Sequence, residues 1–180
     1  MTWVKRILII AAFCTVGSIT PAIYAQNTNN FSLTSFRAYY DLTKDASGVS
    51  KMAVDEYIVA QFPDYNQNHG ILRALPKTYD DNNLSLRVTG VTKASTPEDM
   101  SATTWPFSSY TENGNVVLKI GDADTYVTGT QGYRISYNLN NVIKQYDDHD
   151  ELYWNINGTQ WAANWCCQRK SNHDARNCRG

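Results

Sequence analysis

From Gln26 to Trp165 the sequence holds no cysteine, and only 10 basic residues stand against 16 acidic ones, a net charge of −6. Such a surface repels phosphate backbones and anionic lipid headgroups, which makes nucleic acid a poor partner. Beyond the first 25 residues no apolar run approaches the ~20 residues of a membrane-spanning helix, so any membrane link of the body must come from elsewhere. The nucleophile elbow of serine hydrolases, the HExxH zinc motif, the phosphate-binding loop and the dinucleotide fingerprint are missing as well. No cofactor is implied, and the expectation is a non-enzyme. Internal repeats and sustained helical periodicity are also lacking.

What the chain has in quantity is apolar and aromatic material: 42% hydrophobic residues, with 12 Tyr and 5 Trp among 180. That is enough to offset the entropy of ordering one domain. Residues 1–25 are built differently. Lys5 and Arg6 precede an apolar run from Ile7 to Val16, then Pro21 and the small-residue exit at Ala25, which is the pattern of a secretory signal peptide. Cleavage after Ala25 is expected, with a retained anchor as the rival. The mature chain would then be secreted or held on the extracytoplasmic face of the membrane. From Cys166 to Gly180 almost nothing can be buried, and that basic stretch reads as a disordered tail.

Between leader and tail, apolar residues recur with period two. Phe36, Ala38, Tyr40 and Leu42 alternate with Arg37, Tyr39 and Asp41; Asp45-Ala46-Ser47-Gly48 supplies a turn; Met52, Val54, Ile58, Ala60 and Phe62 continue on one parity. These predict a hairpin. Leu84, Leu86 and Val88, then Val116, Leu118 and Ile120, then Tyr133, Ile135, Tyr137 and Leu139, and last Leu152, Trp154 and Ile156 predict further strands. Pro63 to Pro76 reads as a polar loop and Thr92 to Thr104 as a surface connection. The fold class is all-β, a single sandwich over residues 26–165, with a small β-barrel as runner-up.

Three groups of residues together resemble the DUF2207 family, predicted membrane proteins with an extracytoplasmic N-terminal β domain. They are Asp45-Ala46-Ser47-Gly48 with Val54-Asp55-Glu56-Tyr57-Ile58 and Phe62; His69-Gly70-Ile71-Leu72-Arg73-Ala74-Leu75-Pro76; and Ile120-Gly121-Asp122, Thr128-Gly129, Tyr133 to Tyr137, Asp150 to Asn155 and Gly158 to Trp161. The resemblance implies location and fold and no established activity. It also implies a further strand and membrane helices after the Trp-rich segment. Here the chain turns instead into the cysteine-containing tail, the expectation for a truncated or frameshifted relative whose sandwich keeps an unpaired edge.

Glu56 occupies an inward parity between Val54 and Ile58, where a lone carboxylate is costly, and Arg73 can bind it through two parallel hydrogen bonds. A structural ion pair is the first reading of Glu56 and Arg73, ligand capture by Arg73 the second. His69 reads as a turn histidine or a binding residue. Asp147-Asp148-His149-Asp150-Glu151 has cation-ligating types, yet neighbouring side chains in a loop diverge, so a solvated acidic loop is favoured over a metal site, and Asp150 and Glu151 stay as binding candidates. Asp122-Ala123-Asp124 begins like a calcium loop and then fails at Tyr126 and Val127. Trp105, Trp154, Trp161 and Trp165 are either core or a sugar-stacking platform, with Trp154 placed in the core and Trp161 kept as a binding candidate. In an oxidising compartment Cys166 or Cys167 can pair with Cys178, the Cys167–Cys178 bridge being the candidate disulfide. No metal site is expected.

These readings leave three functions open. The first is a non-catalytic module that binds a protein or cell-envelope component, through His69 to Pro76 and Asp147 to Glu151. The second is a carbohydrate hydrolase using Glu56 and Glu151, or a carbohydrate-binding module of the envelope. The third is a piece of a larger membrane-protein assembly.

Overall fold

The computed structural model describes residues 30–79, 82–100, 103–152 and 164–165. In chain order its strands are β1 (Ser32–Lys44), β2 (Ser50–Phe62), β3 (Gly70–Pro76), β4 (Thr78–Tyr79), β5 (Asn82–Asn83), β6 (Arg87–Thr92), β7 (Phe107–Glu112), β8 (Asn115–Gly121), β9 (Gly129–Asn140), β10 (Ile143–Gln145), β11 (Asp150–Leu152) and β12 (Asn164–Trp165). Among the described residues there is no helix, and hence none long and apolar enough to cross a membrane. One sheet has five strands in the order β12-β1-β2-β9-β6, antiparallel except for the short β1–β12 pairing. The second has three, β3-β8-β7. Two short ladders, β4-β5 and β10-β11, complete the set. The sheets are open, and the architecture is the expected β-sandwich and not the barrel.

Period-two sequence accounts for the core between the sheets. Met52, Val54, Ile58, Ala60 and Phe62 of β2 and Tyr133, Ile135, Tyr137 and Leu139 of β9 are buried on one face. Ile71 and Leu75 of β3 and Leu118 and Ile120 of β8 belong to the same cluster. Each such side chain contributes about 1.5–3 kcal/mol on full burial, which is what holds two layers together. The β1–β2 turn is set locally. Asp45 Oδ1 accepts hydrogen bonds from the backbone N–H groups of Ser47 (2.9 Å) and Val49 (3.0 Å), and Gly48 takes the positive φ of 87°.

Several segments differ from the sequence reading, among them the strand expected from Leu84, which begins at Arg87. The stretch expected as a loop from Pro63 to Pro76 ends in a regular strand, β3, paired along its length with β8. Its alternation is Ile71, Arg73, Leu75, and the charged middle member hid a buried strand. β7 was not anticipated at all: every residue from Phe107 to Glu112 is exposed, so its sequence carries no alternation to read. The predicted strand around Leu152 is seen only to Leu152. Trp154 and Ile156 lie outside the described residues.

Gly70 and Gly121 are register partners in β3 and β8. A Cβ on either would lie 1.9 Å from a backbone oxygen of the other strand, that of Ile120 for Gly70 and that of His69 for Gly121. Their φ angles, 141° and 133°, are also disfavoured for side-chain-bearing residues. Both family-like segments, His69-Gly70 and Ile120-Gly121, therefore owe their glycines to one close strand approach.

Candidate functional site

Glu56 and Arg73 meet between the sheets. Arg73 Nε donates to Glu56 Oε2 at 2.7 Å and Nη2 to Oε1 at 2.6 Å, with the carboxylate 0% and the arginine 3% exposed. Tyr137 of β9 adds a third hydrogen bond, its hydroxyl donating to Glu56 Oε1 at 2.8 Å. The guanidinium carbon sits 5.7 Å from the Phe36 ring centroid, so β1, β2, β3 and β9 all close on the pair. Burial pulls the arginine pKa down, and the adjacent Glu56 charge more than reverses this, holding it above its ordinary value. Burial and the same carboxylate raise the Tyr137 phenol, which keeps its proton for Glu56. Neither Arg73 nor Glu56 can touch a surface ligand without opening the sandwich. Glu56 thus accepts three hydrogen bonds, two from Arg73 and one from Tyr137.

The remaining candidates fall at separate places. His69 Nδ1 donates to the carbonyl oxygens of Thr125 (3.0 Å) and Asp122 (3.2 Å), and its ring packs on Tyr126 at 4.3 Å. It ties the 122–127 turn to the start of β3. Asp122 Oδ1 accepts from the Asp124 N–H at 2.9 Å, so that acidic pair serves a turn. The run Asp147 to Glu151 is the β10–β11 hairpin, with Asp150 exposed, Glu151 half-buried opposite Lys144, and His149 turned to Asp148 and stacked on Tyr146. Asp150 also borders a hollow of about 730 Å³ beside the β1–β2 turn, together with Ser47, Asn141 and Lys144. Among the described residues no three His, Cys, Asp or Glu side chains converge as a metal site would require. Trp105 is core: it is 7% exposed, stacks on Tyr133 at 4.8 Å and donates from Nε1 to Gly132 O at 2.9 Å. The leader, Trp154, Trp161, Cys166, Cys167 and Cys178 lie outside the described residues, and of Trp165 only the backbone is described.

A site that the sequence reading missed lies on the outer face of the five-stranded sheet. Register places Tyr39, Asp55, Ser136 and Gly90 in one row across β1, β2, β9 and β6, and Arg37, Tyr57, Arg134 and Thr92 in the next. Arg134 Nε and Nη2 donate to the two oxygens of Asp55 at 3.1 Å each, and the Ser136 hydroxyl donates to the same carboxylate. Partial burial raises the Asp55 pKa, but the hydrogen bonds from Arg134 and Ser136 outweigh it and leave the carboxyl below its ordinary value. The Arg134 guanidinium lies 5.7 Å from the Tyr57 ring centroid, and Tyr39 meets the same ring edge-on at 5.8 Å. Small residues form the floor of the hollow between these large ones: Ala53, Gly90 and Ser136 line a cavity of about 580 Å³. A second cavity of about 400 Å³ shares Asp41, Ala53 and Asn138 with it and continues along β2 and β9 to Lys51 and Asn140. The sequence signal was present as the outward parities Arg37-Tyr39-Asp41 and Arg134-Ser136-Asn138. What it lacked was the register that sets those rows side by side.

Residues 32–164 match the family model described as the N-terminal domain of a predicted membrane protein (DUF2207). No curated protein and no solved structure matches the chain. The match covers the same stretch as the motif resemblance.

Proposed function

The chain belongs to the DUF2207 family of predicted membrane proteins, and we propose that its β-sandwich is a non-catalytic binding module, carried on the extracytoplasmic side of the membrane, that docks a protein or cell-envelope component. The observation that carries this reading is the contrast between its two ion pairs. Glu56–Arg73 is sealed in the core, where it joins β2 to β3, while Asp55–Arg134 is fixed on an open sheet face with Ser136, beside a long trough. Groups held by mutual hydrogen bonds on an open face suit reversible recognition. Asp55 is engaged by Arg134 and Ser136, which hold its carboxyl below the ordinary carboxylate range. The leader from Lys5 to Ala25 supports export, and the net charge of −6 argues against nucleic acid. Membership of a predicted membrane family supports a place in a larger membrane assembly.

The test is co-sedimentation of the purified full chain with washed envelopes and membranes of the source cells. Saturable binding without chemical change in the bound material is expected. A chain that stays in the supernatant at every envelope concentration, or that releases reducing sugar from the envelope, defeats the reading.

A further inference from the structure

We propose that the trough on the outer face of the five-stranded sheet is a binding site for an uncharged glycan chain. The proposal rests on the binding-module reading and names its ligand class.

Gly90 gives the first reason. Glycine in a strand interior weakens the strand, so it is expected where the backbone needs a left-handed φ or where a neighbour leaves no room for a Cβ. Gly70, Gly121 and Gly132 meet the second condition, with atoms 1.9–2.9 Å from the position of a Cβ. Gly90 meets neither: its φ is outside the left-handed region, and a Cβ there would find nothing within 4 Å. No steric contact requires the missing side chain here, and its absence leaves the floor of the trough open to a ligand. The adjacent register shift between Val88 and Gly90 is a β-bulge, which turns Thr89 into the lining of the same hollow.

The lining selects the ligand. Arg134 is neutralised by Asp55 at 3.1 Å, and Lys51 by Asp45 at 3.1 Å. Asp41 and Arg87 stand on either side of the Ala53 and Asn138 pair, which leaves the trough without a dominant charge. A trough of this balance offers little to an anion, and the negative body opposes one. It does offer many paired donors and acceptors: the Ser136, Thr89 and Thr92 hydroxyls, the Asn138 amide, and the Arg134 fork, already oriented by Asp55. Tyr39, 51% exposed and braced edge-on against Tyr57, gives the rim an aromatic surface for the apolar face of a sugar ring. The stretch of β9 from Arg134 to Asn140 runs for about 20 Å at the usual strand rise, long enough for several linked sugars. A peptide strand would add at a sheet edge instead, and this trough lies on a face.

The experiment titrates the full chain with cellotetraose, maltotetraose, mannotetraose and chitotetraose, following backbone amides by heteronuclear NMR, alongside Gly90→Tyr and Tyr39→Ala. At least one probe is expected to shift the amides of Ala53, Gly90, Ser136 and Asn138 saturably. Gly90→Tyr, whose ring fills the floor without backbone strain, should weaken that binding by about tenfold or more, and Tyr39→Ala by about tenfold. Circular dichroism and thermal unfolding report whether each variant keeps its fold, and Tyr39→Ala, at an exposed rim, serves if Gly90→Tyr does not. The inference is overturned if no probe shifts these amides, or if the shifts survive a folded Gly90→Tyr. Envelope co-sedimentation of the same preparation then separates the two failures: binding to envelopes without binding to oligosaccharide removes the glycan and leaves the module, and loss of both removes the module too.

Discussion

Arg73 is the residue whose loss should cost most. Its charge is compensated by Glu56, and both groups have given up their water to pair. Arg73→Met would strip both guanidinium hydrogen bonds from a buried carboxylate and should destabilise the domain by about 3–5 kcal/mol in urea titrations. Glu56→Leu combined with Arg73→Met should cost much less than Arg73→Met alone, since no charge is then stranded. The glycines make a second residue-scale contrast. Gly70→Ala forces a methyl onto the Ile120 carbonyl and should lower stability by more than about 1 kcal/mol. Gly90→Ala, in open space at an ordinary φ, should be neutral or add about 0.4–1 kcal/mol by restricting the unfolded chain. Thermal unfolding of the two variants tests the pair of signs.

At the scale of the element, β2 and β9 join the two faces of the five-stranded sheet. Their inward residues build the core, and their outward residues Asp55, Arg134 and Ser136 build the trough. The pH dependence of stability follows from groups on these same strands. Asp55 has a folded pKa below its unfolded value of about 3.9, so its contribution is fully present above that pH and is lost as pH falls through the lowered folded value. Asp55→Asn should therefore flatten the fall in melting temperature below about pH 4. Tyr133 and Tyr137 have phenols raised mainly by burial, so folding favours their protonated form. Their contribution is present below the unfolded phenol value of about 10 and declines as pH rises past it. Tyr137→Phe should reduce that alkaline decline while losing the hydrogen bond to Glu56, which a melting-temperature profile from neutral to strongly alkaline pH would show.

For the whole molecule, one core shared by both sheets and an ion pair spanning them predict a single cooperative transition, with near- and far-ultraviolet circular dichroism melting together. Separate transitions would mean that the sheets fold as independent units. The strands from Phe36 to Phe62 and from Tyr133 to Leu139 were legible because half-buried strands write a period of two into the sequence. The Glu56–Arg73 pairing was legible because a carboxylate at an inward parity calls for a cation. β3 is masked in the sequence by that same arginine, which interrupts its apolar alternation, and β7 leaves no signal because every one of its residues is exposed. Composition and parity alone settled the all-β class, the hairpin, the charge balance and the family resemblance, since burial on one face of a strand is a local property of the chain. Which outward residues become a trough was decided only by the tertiary structure: register between strands far apart in sequence sets Tyr39, Asp55, Ser136 and Gly90 in one row, and no local pattern encodes that neighbourhood.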